Sequence, residues 1–143
     1  MPERRALALA SMLAACAAAD GAELKTFVEA KVGSASRKIQ ATSYYFRPGL
    51  TWPRRTQGGL SLRVMPRGCI FADKGPAAFI ENDDSQTLLA LAAITNSRAF
   101  SALVDMQMAF GSYEVGVIQR TPIPILGAAE RDRLARLAHR YWS

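Results

Sequence analysis

Apolar positions near the start of the chain recur with the spacing of helices. An alanine-rich run covers residues 6–19, and a second apolar pattern covers residues 24–32 before Gly33. Spacing of this kind places apolar side chains on one face of a helix, and glycine commonly follows a helix end. The pattern therefore predicts an antiparallel helical pair over residues 1–33.

A secretory signal peptide is the alternative interpretation of residues 1–19. Arg4 and Arg5 precede the apolar run, and small residues at 17–19 are typical of a cleavage site. The run is too short to span a membrane. Alanine forms helices well but is only weakly hydrophobic, so the pattern favours the helix.

In the middle of the chain, apolar residues recur with the spacing of strands. Residues 60–65 predict a half-buried strand that presents Arg63 to solvent, and residues 69–72 and 77–80 predict two further strands. Residues 39–45 are a candidate extended segment. Tight turns rich in glycine and proline separate these runs, which favours a small antiparallel sheet.

Helical spacing returns in the last third of the chain. Residues 82–85 can cap a helix over roughly 86–95, and Ser97 can cap a second helix that Gly111 ends. A final helix is predicted to begin near Ala128.

Residues 115–119 carry alternating valines and predict one more strand. Together these elements predict an α+β fold, with a small, mainly antiparallel sheet and flanking helices. The helical pair of residues 1–33 and the α+β region of residues 34–143 are expected to form one compact domain, because 143 residues suffice for a hydrophobic core.

Charge changes the picture because it is distributed unevenly. The formal net charge is +6, and the stretch from Ala30 to Ala72 contains eight Lys or Arg residues but no Asp or Glu. Aromatic residues and Gly/Pro turns are interleaved with these cations. A segment of this composition indicates a surface for a polyanion, most simply nucleic acid.

The most specific candidates lie in a loop between Pro53 and Gly59. An arginine can form a bidentate pair with guanine and a glutamine with adenine, so Arg54, Arg55, Thr56 and Gln57 are predicted to approach DNA bases. A solvated basic loop is the alternative. The other candidate DNA contacts are mostly cations suited to phosphates: Arg37, Lys38, Tyr44, Arg47, Arg63, Arg67 and Lys74.

Signatures of catalysis are missing from the sequence. It has no glycine-rich phosphate loop, no G-x-S-x-G and no HExxH. Cys16 and Cys69 are far apart without a neighbouring histidine, so we expect reduced thiols and no metal. The single histidine, His139, is expected on a helix surface. The chain is therefore predicted to be non-catalytic and cytoplasmic, without a membrane partner.

Four segments, taken in order, resemble a known family over about residues 40–140. They are Tyr45–Trp52, Met65–Phe71, Ile94–Arg98 and Gly116–Pro124. Together they resemble the specificity region of N6-adenine DNA methyltransferases, found in type IIG restriction enzymes, related type II methyltransferases and BREX phage-exclusion systems. The closing Pro-x-Pro before a helix is similar to target-recognition domains of type I specificity subunits.

The resemblance implies a DNA-reading lobe beside a methyltransferase domain that binds S-adenosylmethionine and flips the target adenine. The catalytic Asn/Asp-Pro-Pro-Tyr/Phe motif of that family is absent from this sequence. The implied role is therefore sequence-specific binding of duplex DNA, with no cofactor in this chain and a methyltransferase or nuclease domain as protein partner. Two alternatives are a secreted or periplasmic basic binding protein and a structural scaffold that docks an acidic partner.

Overall fold

The computed structural model describes residues 30, 41–72, 74–108 and 111–142. The predicted helical pair over residues 1–33 lies, apart from Ala30, outside the described residues. It therefore stays a prediction.

The described residues form short strands followed by helices, and they confirm the predicted α+β fold with a small antiparallel sheet and flanking helices. A 3₁₀ turn precedes the first strand. The elements are the 3₁₀ turn Thr42–Tyr44, strands β1 (Gly49–Thr51), β2 (Arg63–Met65) and β3 (Ala77–Ala78), and helices α1 (Ser85–Thr95), α2 (Arg98–Asp105), α3 (Val115–Arg120) and α4 (Ala128–Trp142).

The central strand of the sheet is β1, which pairs antiparallel with β2 on one side and β3 on the other. Leu50 lies opposite both Val64 and Ala78. A Cβ atom on Gly49 would lie only 2.6 Å from the Ala78 carbonyl oxygen. Glycine at this position therefore allows β3 to approach β1 closely.

The prediction for β2 is right about Arg63 and wrong about the residues that follow. Leu62 is buried and Arg63 is exposed, as the alternation requires. Val64 is then exposed and Met65 buried, so the alternation slips by one position after Arg63.

The predicted strand at residues 69–72 is wrong. This segment is irregular apart from an isolated bridge between Ala72 and Gly75. Two backbone bonds join it and Gly68 to the chain before β1: Phe46 N–H donates to the Cys69 carbonyl, and Gly68 N–H donates to the Phe46 carbonyl. Phe46 and Gly68 both have positive φ angles, 67° and 86°. Left-handed backbone on both sides of this contact interrupts an extended ladder.

Two other segments that were predicted to be extended are helical in the structure. Residues 42–44 form the 3₁₀ turn, and residues 115–120 form α3. In α3, the Thr121 amide and hydroxyl both donate to the Val117 carbonyl, and both residues are buried. Alternating valines over so few residues do not distinguish a strand from a short helix.

Local capping explains why α1 and α2 begin where the sequence predicts. The Asp84 carboxylate accepts hydrogen bonds from the Thr87 hydroxyl and amide, and these bonds hold its pKa below the ordinary value. The Ser97 hydroxyl accepts from Phe100 N–H at 3.2 Å. The predicted α2 is too long, because the helix ends at Asp105, well before Gly111.

The core lies between the sheet and the helices. α4 packs against α1, and Ala135 and Ala138 of α4 are buried. Small side chains at these positions allow the two helices to approach closely. The main buried cluster contains Leu50, Trp52, Leu62, Leu88, Ala92, Phe100, Val104, Tyr113 and Val117.

Within the part of the chain that the structure describes, no single helix is long and apolar enough to span a membrane. α1 and α2 would reach that length and composition only as a pair bent by 64°. Both helices contribute buried side chains to the core, among them Leu88 and Val104.

Asn96, at the end of α1, fastens the sheet to the helices. Its side-chain oxygen accepts from Leu62 N–H at 3.0 Å, and its amide nitrogen donates to the Leu62 carbonyl at 2.8 Å. The same nitrogen donates to the Ala92 carbonyl at 2.8 Å. One side chain thus satisfies both backbone groups of the buried residue that leads into β2.

We predict that Asn96→Ala lowers the free energy of unfolding by about 2 kcal/mol, because it leaves both backbone groups of Leu62 without their partner. Urea denaturation followed by tryptophan fluorescence measures the change. Asn82→Ala is the matched control, since Asn82 is exposed and its side chain makes no hydrogen bond to the described residues. Equal losses in the two variants would contradict the bridging role of Asn96.

Candidate nucleic-acid interface

The basic loop, residues 53–59, begins from a fixed point in the core. Trp52 is only 2% exposed, and its indole N–H donates to the Tyr113 carbonyl at 3.0 Å. Its backbone N–H donates to the Pro76 carbonyl at 3.3 Å, which continues the pairing between β1 and the β3 side of the sheet. The chain therefore leaves the sheet in a defined direction.

Backbone hydrogen bonds hold the basic loop between two distant segments. Arg54 N–H donates to the Lys74 carbonyl at 3.1 Å, and Tyr113 N–H donates to the Arg54 carbonyl at 2.8 Å. These bonds bring Lys74 and the segment before α3 beside the loop. The sequence alone carries no signal that these three segments meet.

An acidic side chain, Glu114, lies within this cationic region. One carboxylate oxygen accepts from Arg54 Nε at 3.0 Å and from the Ser112 hydroxyl at 2.7 Å. The other lies 2.6 Å from Arg54 Nη2. These hydrogen bonds, from Arg54 first and then Ser112, hold the pKa of Glu114 below its ordinary value.

The rest of the basic loop projects into solvent. Arg55 and Gln57 are exposed, and the Thr56 hydroxyl accepts from Gly58 N–H at 3.1 Å. Gly59 has a φ of 81°, which permits the tight return of the chain toward β2. Lys74, which the backbone bond from Arg54 brings beside the loop, is also exposed.

A second group of candidates lies at the other end of β1, around Asp83. Arg47 donates to one Asp83 oxygen through Nε at 2.9 Å and Nη2 at 2.8 Å, and Nη2 also donates to the Ile80 carbonyl at 2.8 Å. Arg67 is 73% exposed and lies 3.7 Å from the second Asp83 oxygen. Arg47 therefore fastens residues 80–83 to the sheet.

Tyr44 packs beside Arg47 in this second group. Its ring lies 5.2 Å from the Phe79 ring, and the Arg47 guanidinium lies 5.3 Å from the Tyr44 ring centre. Tyr44 is exposed while Tyr45 is buried, as expected for neighbouring residues on opposite faces.

Arg63 belongs to neither group. It lies opposite Thr51 on β2 and lines an apolar groove of about 670 Å³ between β2, α1 and α4. The two remaining candidates, Arg37 and Lys38, lie outside the described residues.

Sequence reasoning placed the cations of the basic loop but missed Glu114. Glu114 is separated from Arg54 by 60 positions. Only the fold reveals their contact.

No group of three or more His, Cys, Asp or Glu that could hold a metal ion occurs among the described residues. Cys69 is a free thiol.

Comparison with known proteins identifies a class of enzyme to which the chain is distantly and partially related, the adenine-specific methyltransferases. One relative is the adenine-specific methyltransferase BrxX of Escherichia coli O9:H4 (strain HS), 29% identical over 79 residues, which are 55% of this chain and 7% of that protein. Another is the adenine-specific methyltransferase PglX of Lacticaseibacillus casei (strain Zhang), 25% identical over 103 residues, which are 72% of this chain and 8% of that protein.

The chain thus spans less than a tenth of the length of either relative. No protein-family model matches it. These comparisons confirm the resemblance to adenine-specific methyltransferases as a class of enzyme, over part of the chain.

We predict that Trp52→Phe loosens the basic loop more than it loosens the helices, because the Tyr113 carbonyl loses its donor. The free energy of unfolding should fall by about 1–3 kcal/mol. Amide hydrogen exchange should accelerate more at Tyr113 than at Leu88, whose N–H donates to Asp84 within the first turn of α1. Equal acceleration at both amides would mean that the substitution lowers only global stability.

Proposed function

We propose that this chain is a DNA-recognition region of an adenine-specific DNA methyltransferase that acts in phage defence or restriction-modification, and that it binds duplex DNA without catalysing a reaction. One observation carries the proposal. A cationic loop with exposed Arg55 and Gln57 is fixed to the core through Trp52, in a chain related to a small part of such enzymes.

Affinity in this proposal comes from exposed cations near the basic loop. Arg55 and Lys74 are both exposed, and a phosphate bound by each would release condensed counterions. Arg67, at the other end of β1, and Arg63 are further candidate phosphate contacts. Arg47 and Tyr44 are left out of the proposed contacts, because Arg47 is bonded to Asp83 and Tyr44 packs against Phe79.

Selectivity in this proposal comes from the basic loop. Arginine and glutamine side chains offer paired hydrogen bonds to guanine and adenine edges in the major groove. A loop that is already ordered before binding loses little conformational entropy when it meets DNA. The backbone bonds of Arg54 to Lys74 and Tyr113 support such an ordered loop.

The proposed partners are duplex DNA and the methyltransferase or nuclease domain of the parent enzyme. S-adenosylmethionine and the catalytic residues would belong to the methyltransferase domain. We place this function in the cytoplasm, where such an enzyme meets its DNA.

The test is a fluorescence-anisotropy titration of the chain with random-sequence duplex DNA at several salt concentrations. We predict binding that weakens steeply with salt. Arg55→Ala/Lys74→Ala should bind about tenfold more weakly at low salt, with a salt slope smaller by about two phosphate charges.

The control carries the same loss of charge on another element. Arg136→Ala/Arg140→Ala removes two exposed cations of α4 and should leave the salt slope close to that of the unmodified chain. If both double variants lose the same affinity, binding depends on net charge rather than on the basic loop. If the chain binds no duplex even at low salt, the proposed function is wrong.

A further inference from the structure

We infer that Glu114 is a positioning residue that sets the selectivity of the basic loop, by orienting Arg54 toward a base and by opposing its use as a phosphate contact. The inference rests on the proposed function and names an acidic residue as part of the DNA-reading surface.

Arg54 is held through both its backbone and its guanidinium group. Its backbone N–H and carbonyl are bonded to Lys74 and Tyr113, and its guanidinium meets both oxygens of Glu114. Ser112 donates to the same carboxylate at 2.7 Å and so fixes the carboxylate in turn. An arginine held by two parallel contacts keeps its planar fork in one orientation.

The pair is accessible to a ligand. The side chains of Arg54 and Glu114 are 45% and 44% exposed, so the pair lies at the loop surface rather than in the core. An isolated ion pair at such a site contributes little to stability. A charged ligand that contacts Arg54 would also meet the charge of Glu114, because the two side chains are in direct contact.

The two kinds of hydrogen-bond acceptor on DNA, phosphates and base edges, differ in charge. A phosphate carries a full negative charge, so it is repelled by Glu114 and competes with it for Arg54. A base edge such as guanine O6/N7 is a neutral acceptor, and it avoids most of that repulsion. Glu114 therefore weakens binding to the backbone at any sequence more than it weakens contact with a matching base.

The local fold allows Glu114 to be tested without disturbing α3. Glu114 is the residue before the helix, but its side chain makes no capping hydrogen bond. Glu114→Gln keeps the size of the side chain, removes its charge and replaces one acceptor oxygen with an NH2 donor, so that the paired contact with Arg54 is lost. Glu81→Gln is the matched control, because it removes one exposed carboxylate from another loop.

The first measurement is anisotropy with random-sequence duplex DNA. We expect Glu114→Gln to bind roughly three- to tenfold more tightly than the unmodified chain, with a salt slope steeper by about one phosphate charge. Glu81→Gln should change affinity much less. A variant that merely misfolds would lose affinity, so a gain in affinity separates positioning from a structural role.

The second measurement is selection of bound sequences from a randomised duplex library. The unmodified chain should enrich a preferred base at one or more positions, and Glu114→Gln should enrich it less despite its tighter binding. The same tightening in both variants, or unchanged enrichment in Glu114→Gln, would overturn the inference while leaving the proposed function intact.

If the unmodified chain binds no duplex DNA at low salt, the proposed function is wrong and the inference fails with it. If the unmodified chain binds and Glu114→Gln shows unchanged enrichment, only the inference fails.

Discussion

Trp52 connects the core to the basic loop because its ring system is apolar at one end and a hydrogen-bond donor at the other. Burial of the ring fixes the end of β1, and the indole N–H fixes the carbonyl of Tyr113. The next residue but one, Arg54, is then bonded to Tyr113 and Lys74 through its backbone. Trp52 therefore adds a buried support to three segments that meet here: the basic loop, Lys74 and residues 112–114.

The starts of helices α1 and α2 could be predicted from the sequence because their signals are local. Asp84 and Ser97 are bonded to residues three positions away, so the capping pattern is visible in a few letters. The sheet was harder to predict. β1 has three residues and β3 two, and their pairing depends on contacts such as the approach of Ala78 to Gly49. Runs this short carry too little periodicity to distinguish strand, turn and helix.

The candidate site was predicted in composition but not in arrangement. A stretch without acidic residues does predict a cationic region, yet among the described residues its cations do not form one group. Arg54 and Arg55 lie at one end of β1, Arg47 and Arg67 lie at the other, and Arg63 lies on β2. Arg47 meets Asp83 across 36 positions, and Arg54 meets Glu114 across 60. A single sequence carries no signal for contacts across such separations. Asp83 and Glu114 therefore could not be predicted as the partners of these arginines.

The Arg47–Asp83 and Arg54–Glu114 pairs also show why the number of arginines overestimates the number available to bind a ligand. The Arg47 guanidinium bonds both to Asp83 and to a backbone carbonyl, and it lies over aromatic rings, so its charge is used to hold the fold. Arg54 has a similar carboxylate partner but projects from a loop rather than against the sheet. Identical residue types in one basic stretch therefore serve different ends, because the surrounding backbone decides whether a guanidinium is directed inward or outward. The proposed selectivity rests on the second arrangement, in which Glu114 holds Arg54 in one orientation and partly balances its charge.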